Sequence, residues 1–446
     1  MVKPTAVDIR AYNVGFGDCF LVTFEYGKTE KRSVLIDFGS TGKPTKSPAD
    51  VMKKVAEDVR DFVTANCGGV LHGVVATHRH KDHVSGFAGE SGKIIETLNP
   101  KVVVQPWTED PLAQRNAKSA TTKSGRSGAE PKSLSAMQNQ YLQSFAHMNA
   151  FSTSALAAAS PRMGERNEGK IKFLADDNIA NPEAVERLAR MGKKGAADYV
   201  RAGGKTRLEK QLPGVKIHVL GPPDLTQTET ILKQRSTDKT EFWQFMQFWS
   251  MLAASSGGDS AAATAKPEPL FPNAAVAASK PINTRWFIDK ADRQLGNQLL
   301  GIVRILDKAM NNTSVILLFE VGGKKLLFPG DAQIENWAYA LSEPKELPGV
   351  KKLLADVDLY KVGHHGSRNA TPKTLWDGFK RKSSTKKAGR LTSVVSTMKG
   401  KHGDSEKHTE VPRKSLVKAL TDESDFHTTE RVKGKILFDT VRVEVK

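Results

Sequence analysis

The densest chemistry in the sequence is the stretch Thr77-His78-Arg79-His80-Lys81-Asp82-His83. Four ligand-type side chains, His78, His80, Asp82 and His83, fall within six positions. Imidazole nitrogen and carboxylate oxygen together suit zinc and related first-row ions. The chain holds only 11 His, so this density argues against a chance surface cluster. A loop of this spacing can turn His78 and His80 toward one cation and Asp82 and His83 toward a second. A single-ion site would use a subset of the same groups. Two later stretches carry similar residues, Pro329-Gly330-Asp331 and Gly363-His364-His365-Gly366-Ser367. A carboxylate at Asp331 could bridge two cations. Alone, each stretch is weak, since an Asp after Gly commonly marks a turn and a His pair is often only hydrogen-bonded.

What joins the three stretches is their position. Each follows a short apolar run: Val74 to Ala76, Lys324 to Phe328, and Val357 to Val362. Runs of this kind read as buried strands, and strand ends are where layered α/β proteins assemble sites. Around them the sequence predicts strands at 7–14, 20–24 and 33–36, a helix at 48–65 with Val51, Val55, Val59 and Phe62 on one face, and a strand at 102–104. Further strands are expected at 215–220 and 314–319. A helical piece at 337–341, a helix at 372–379, a strand at 393–396 and a helix at 411–420 follow. Two closing strands are expected at 435–438 and 441–445. The fold class is therefore α/β. Between the halves, residues 133–159, 181–202 and 241–252 read as helical, and 253–281 as a flexible Ala/Ser/Gly/Pro-rich segment. The organisation is a first half at 1–109, a mainly helical insertion at 110–305, and a second half at 306–446.

Composition bounds the rest. The chain has 446 residues, 39% of them hydrophobic and 26% charged, which is enough for a sizeable core and excludes wholesale disorder. Two Cys exclude a disulfide framework, and Cys19 and Cys67 are expected to be inert. No apolar run reaches the roughly 18 residues of a membrane span, and no signal peptide is visible, so the expectation is a cytoplasmic protein with no membrane partner. The 67 Lys and Arg against 49 Asp and Glu leave a net charge of +18. Residues 361–401 hold 11 of those cations and one carboxylate, Asp377. Such a run invites an anionic partner, and it begins inside the second histidine stretch.

In order, Asn13-Val14-Gly15-Phe16-Gly17-Asp18, Leu35-Ile36-Asp37-Phe38-Gly39, the His-x-His-x-Asp-His cluster, Pro329-Gly330-Asp331 and the His-His-Gly-Ser at 364–367 resemble the metallo-β-lactamase superfamily. The nearest branch is the hydrolase domain of the ComEC-type competence proteins. The resemblance covers roughly residues 5–105 and 310–446; residues 110–305 have no counterpart. It implies an αββα sandwich and two zinc ions, with manganese as the substitute. By position, His78 and His80 would hold one ion, Asp82 and His83 the other, and Asp331 would bridge. His364 or His365 would complete the second site. His364 is taken as the ligand and His365 as the catalytic partner of Asp82, an order the sequence leaves open. Asp37 would orient the ligand loop. No clear third histidine for the first ion lies before Asp331. His147 and His218 read as structural, and His408 matches a late histidine of the branch only loosely.

The implied chemistry is hydrolysis by a metal-activated hydroxide, available near neutral pH because a metal lowers the pKa of bound water toward ~7. The first substrate expectation is a phosphodiester in nucleic acid, with Ser367, Arg368 and Lys373 on its phosphates. The alternatives are a small ester, cyclic nucleotide, lactone or lactam, or a non-enzymatic interaction role. The insertion offers a surface for oligomerisation or a protein partner.

Overall fold

A computed structural model describes residues 3–27, 29–44, 47–111, 181–228, 309–403, 410–432 and 436–445, with isolated positions between 119 and 307. The chain divides into two compact units. One comprises Met1–His147, Ile179–Leu232 and Ala309–Lys446; the other comprises Met148–Asn178 and Lys233–Lys308, of which only scattered positions are described. The helices expected at 133–159 and 241–252, and the segment at 253–281, lie outside the described residues, as do His147 and His408.

The first unit contains two mixed sheets. The seven-stranded sheet has the order β13-β1-β2-β3-β4-β5-β6, with β1 Ala6–Tyr12, β2 Cys19–Tyr26, β3 Glu30–Phe38, β4 Gly73–Val75, β5 Val103–Pro106, β6 Ala197–Val200 and β13 Phe438–Glu444. The six-stranded sheet has the order β12-β11-β10-β9-β8-β7, with β7 Val215–Gly221, β8 Ile316–Val321, β9 Lys324–Phe328, β10 Leu359–Lys361, β11 Thr392–Val395 and β12 Asp425–Thr428.

Side-chain alternation explains how the sheets pack. Along β2, Phe20, Val22 and Phe24 join a core shared with Leu317 and Phe319 of β8 and Phe328 of β9. Cys19 and Leu21 point the other way, into a core with Val55, Val59 and Val63 of the helix Val51–Asn66. A third core joins Ile316 and Leu318 to Trp337 of the helix Ile334–Leu341 and to Leu375 of the helix Lys373–Gly378. The period of two in a strand thus feeds two cores at once. Aromatic contacts bridge the sheets, with Phe20 to Phe328 at 6.2 Å and Phe24 to Phe319 at 5.8 Å between centroids. Each such ring contributes about 1.5–3 kcal/mol by leaving water.

The strands that matter for the site run parallel. β3 pairs β4 in one sheet, and β9, β10 and β11 pair in sequence in the other. Their carboxyl ends, after Phe38, Val75, Phe328, Lys361 and Val395, therefore open on a common edge of each sheet.

Part of the expected insertion belongs to these sheets. Within 110–305, the helix Pro182–Lys194 packs on the first sheet, β6 extends that sheet beside β5, and β7 pairs β8 in the second. The strand β6 replaces only the end of the helical stretch expected at 181–202. The helix expected at 411–420 runs instead over Lys414–Glu423, and the strand that follows it, β12, was not expected. One strand, β13, replaces the two expected at the end of the chain.

Candidate metal centre

The loop after β4 turns its side chains in two directions. Arg79 faces away from the other ligand-type groups and donates from Nε to Glu109 Oε1 at 2.8 Å. His78, His80, Asp82 and His83 turn inward and are 1%, 2%, 3% and 0% exposed. A four-residue helix, Lys81–Val84, carries Asp82 and His83. The end of β3 fixes this loop through Asp37, whose Oδ1 accepts from Thr77 N at 2.7 Å and whose Oδ2 accepts from Thr77 Oγ1 at 2.8 Å.

From the second sheet, β9 delivers Asp331 and β10 delivers His364 and His365. Asp331 N donates to Ser314 Oγ at 3.1 Å. The His364 N–H donates to Asp331 Oδ1 at 3.1 Å, which locks the two strand ends together. Asp37, His364 and His365 take positive φ values of 54°, 45° and 51°. Left-handed backbone at a non-glycine residue costs of order 1–3 kcal/mol and concentrates at functional sites.

These elements bring Asp82, His83, Asp331 and His365 into one buried group whose ligand-type atoms lie within 4.8 Å of one another. His83 Nδ1 is tied to Asp37 Oδ2 at 2.8 Å, and His83 Nε2 faces Asp331 Oδ2 at 3.2 Å and Asp82 Oδ1 at 3.7 Å. His365 Nδ1 meets the Ser396 carbonyl at 3.0 Å, and its Nε2 meets Asp82 Oδ2 at 2.8 Å. His83, Asp331 and His365 each spend one polar atom outside the group and turn another toward it, while Asp82 pairs with His365 through Oδ2. Asp82 Oδ1 and His83 Nε2 are buried and make no hydrogen bond. Orphaned buried atoms are rare and call for an explanation. Two imidazoles and two carboxylates converging on a common point form a donor set that fits a zinc-type cation.

His78 and His80 form a pair beside this group, with the His78 ring centroid 4.2 Å from that of His83. His78 Nε2 lies 2.9 Å from His80 Nδ1, and His78 Nδ1 lies 3.2 Å from Thr77 Oγ1. Among the described residues the pair belongs to no group of three ligands. His218 does not supply a third; it sits on β7 and pairs with Glu320 at 2.8 Å. The four-residue group is therefore the better-built half of the expected two-ion site.

The paired histidines, whose order the sequence leaves open, sit differently, although the Nε2 of each lies 3.8 Å from Asp331 Oδ2. His365, fully buried, joins the four-residue group, whereas the His364 side chain is 21% exposed with Nε2 at 3.8 Å from Asp331 Oδ2. Ser367 is half-buried, Arg368 is exposed, and Lys373 is exposed at the start of its helix.

Burial and charge oppose each other in this group. Burial disfavours a charged His365, but Asp18, Asp331 and a hydrogen bond donated to Asp82 outweigh it and raise its pKa to about 10. His83 is likewise raised, against burial, by Asp331, Asp82 and Asp37. Burial lowers His364 to about 4, and His365 adds to the fall. Burial pushes Asp331 up, but His83, His364 and His365 bring it well below the usual carboxylate range.

Two buried charges at this site were not expected from the sequence. Asp18, on the turn between β1 and β2, contacts Lys361 at the end of β10. Asp18 is 0% exposed and Lys361 2%. The one available signal for Lys361 was a lysine inside the apolar run Val357 to Val362.

The basic run of 361–401 is also not a continuous outer track. Lys361 is buried on Asp18. Arg381 pairs with Asp358 at 3.4 Å, Lys382 with Glu423 at 3.3 Å, and Arg390 donates to the Ser424 carbonyl at 2.7 Å. No helix among the described residues is long and apolar enough to cross a membrane. A scan against family models finds no match to this chain, and a search of curated proteins finds none.

Proposed function

We propose that this chain is a metal-dependent hydrolase with an αββα sandwich of the metallo-β-lactamase type, acting on phosphodiesters and first of all on nucleic acid. The observation that carries this reading is the convergence of Asp82, His83, Asp331 and His365 from strand ends of both sheets into one buried group. The core shared by the two sheets and the helices on their outer faces support the sandwich. Zinc is the first candidate ion, with manganese as substitute. His78 and His80 supply the start of a second position.

Asp82, His83, Asp331 and His365 would hold a dication, which would supply Lewis acidity and activate water at neutral pH. The chain's own residues do the rest. Asp37 holds His83 in one tautomer through Nδ1, as ligating histidines usually require. The Ser396 carbonyl does the same for His365. Asp82, anchored by His365 at Oδ2, turns Oδ1 toward the cation position and so would both hold the ion and orient an attacking water. His364 stands beside Asp331, partly exposed. With a pKa near 4 it is neutral at pH 7, so its ring N–H can donate to a developing oxyanion. Arg368 and Lys373, exposed just beyond it, offer charge to a phosphate.

A second reading, a small ester or lactam as substrate, is favoured by one observation. Lys361, Arg381, Lys382 and Arg390 are engaged within the fold, which shortens the track available to a nucleic-acid backbone. A panel on zinc- or manganese-loaded protein decides between them. It should include bis(p-nitrophenyl) phosphate, single- and double-stranded DNA, RNA, cyclic nucleotides, a lactone and a chromogenic β-lactam, with Asp331→Ala as control. Turnover of the diester or nucleic acid, lost in the control, supports the first reading. Turnover of lactone or lactam alone supports the second. No turnover at all contradicts both.

A further inference from the structure

Beside the four-residue group lies a second buried group, Asp18, Asp37 and His83, also with ligand-type atoms within 4.8 Å of one another. Its negative charge is met from inside the protein. The Lys361 ammonium contacts Asp18, donates to the Gly330 carbonyl at 3.3 Å, and faces Asp331 Oδ1 at 3.7 Å. Asp18 Oδ1 stands 3.4 Å from His365 Nδ1. The Asp18 backbone donates to the Asp82 carbonyl at 3.0 Å and accepts from Gly39 N at 3.0 Å. One ion pair therefore touches the segments that carry Asp82, Asp331 and His365.

Stability alone does not call for this pair. Removing two charges from water costs several kcal/mol per ion, and apolar replacements of similar volume are often neutral or better. The neighbours Leu359, Tyr360 and Val362 are each 0% exposed, so an apolar side chain would suit position 361. What the pair does provide is direction. Asp331 Oδ1 is occupied by the His364 N–H and the Lys361 ammonium, which leaves Oδ2 facing His83 Nε2 at 3.2 Å and His365 Nε2 at 3.8 Å. Asp18 stands on the Nδ1 side of His365, which leaves Nε2 toward Asp82.

We propose that Lys361 and Asp18 are positioning residues of the metal centre: the pair fixes which oxygen of Asp331 and which nitrogen of His365 face the cation. This rests on the metal-centre reading above. Neither residue is a ligand or a catalytic group.

The test uses the full chain and the double variant Asp18→Asn/Lys361→Met. It removes both charges together, keeps the net charge, and strands no buried ion. Zinc affinity is read by competition with a chelator, ligand geometry by the absorption of the cobalt(II)-loaded protein, and folding by the thermal melt of metal-stripped protein. The expected result is an unchanged melt, zinc affinity lowered by about 10–100-fold, and a shifted cobalt(II) spectrum. Asp18→Asn alone, which leaves Lys361 on Gly330 and Asp331, is the second variant and should also lower zinc affinity. Wild-type zinc affinity and cobalt(II) spectrum in a folded variant would overturn the proposal. Failure of both variants to fold would also overturn it, because the pair's role would then be structural. Wild-type protein that takes up neither metal would instead remove the metal-centre reading itself.

Discussion

His83 is the residue on which the centre turns. Its Nδ1 is fixed by Asp37 and its Nε2 is left among carboxylates. Asp37→Asn should therefore keep the fold and lower zinc affinity about 10–100-fold, read by chelator competition. On the proposed reading, Asp82→Ala and His365→Ala each remove a ligand and should lower zinc affinity by more than about 100-fold and abolish the proposed hydrolysis. Full activity in metal-loaded Asp82→Ala would remove Asp82 from the mechanism. At this scale the sequence was informative where ligand types cluster in one loop, as in His78 to His83. It was silent on Asp18 and Lys361, because a turn aspartate and a strand lysine acquire meaning only when two distant strand ends meet. His364 and His365 both take positive φ, 45° and 51°, a backbone turn that residue type does not encode.

At the scale of elements, the short helix that carries Asp82 and His83 is held by close backbone approach. A Cβ on Gly39 would lie 2.5 Å from the Asp82 carbonyl carbon and 2.5 Å from His83 N. Gly39→Ala should push the helix Lys81–Val84 outward, costing about 1–3 kcal/mol in a denaturant melt and weakening metal binding in parallel. A variant with wild-type affinity would show that the approach is incidental. Strands with strong apolar runs, such as β2, β8 and β9, were legible in the sequence. β6 was not, because Ala197-Asp198-Tyr199-Val200 is a half-exposed edge strand whose Asp198 serves Arg207 and Thr206 rather than a core. β7 was legible as a strand, but its pairing with β8, like that of β6 with β5, joins segments far apart in sequence and leaves no local mark.

For the whole molecule, the net charge of +18 is less available than it looked. If nucleic acid is the substrate, Arg368→Ala with Lys373→Ala should make binding less sensitive to salt. The slope of log affinity against log salt should fall by about 0.9 for each phosphate that is no longer neutralised. An unchanged slope would place the nucleic acid elsewhere. The buried histidines also set a stability profile for metal-stripped protein. His72, lowered to about 4 by burial and then Arg32, and His364, also about 4, stay neutral in the fold below the ordinary value of 6.5. The unfolded chain then binds more protons, so their contribution is present above 6.5 and lost as pH falls toward 4. His365, raised to about 10, works in reverse: its contribution is present below 6.5 and lost as pH rises toward 10. Chemical denaturation across pH should therefore show a maximum near 6.5, and zinc should abolish the alkaline arm because a ligating imidazole is neutral.

The most direct measurement is elemental analysis of the purified full chain, before and after incubation with zinc or manganese, beside Asp331→Ala and His365→Ala. The expected result is at least about one tightly held ion per wild-type chain, resistant to dilution, and its loss in both variants. A wild-type chain that holds no metal and takes up none would contradict it.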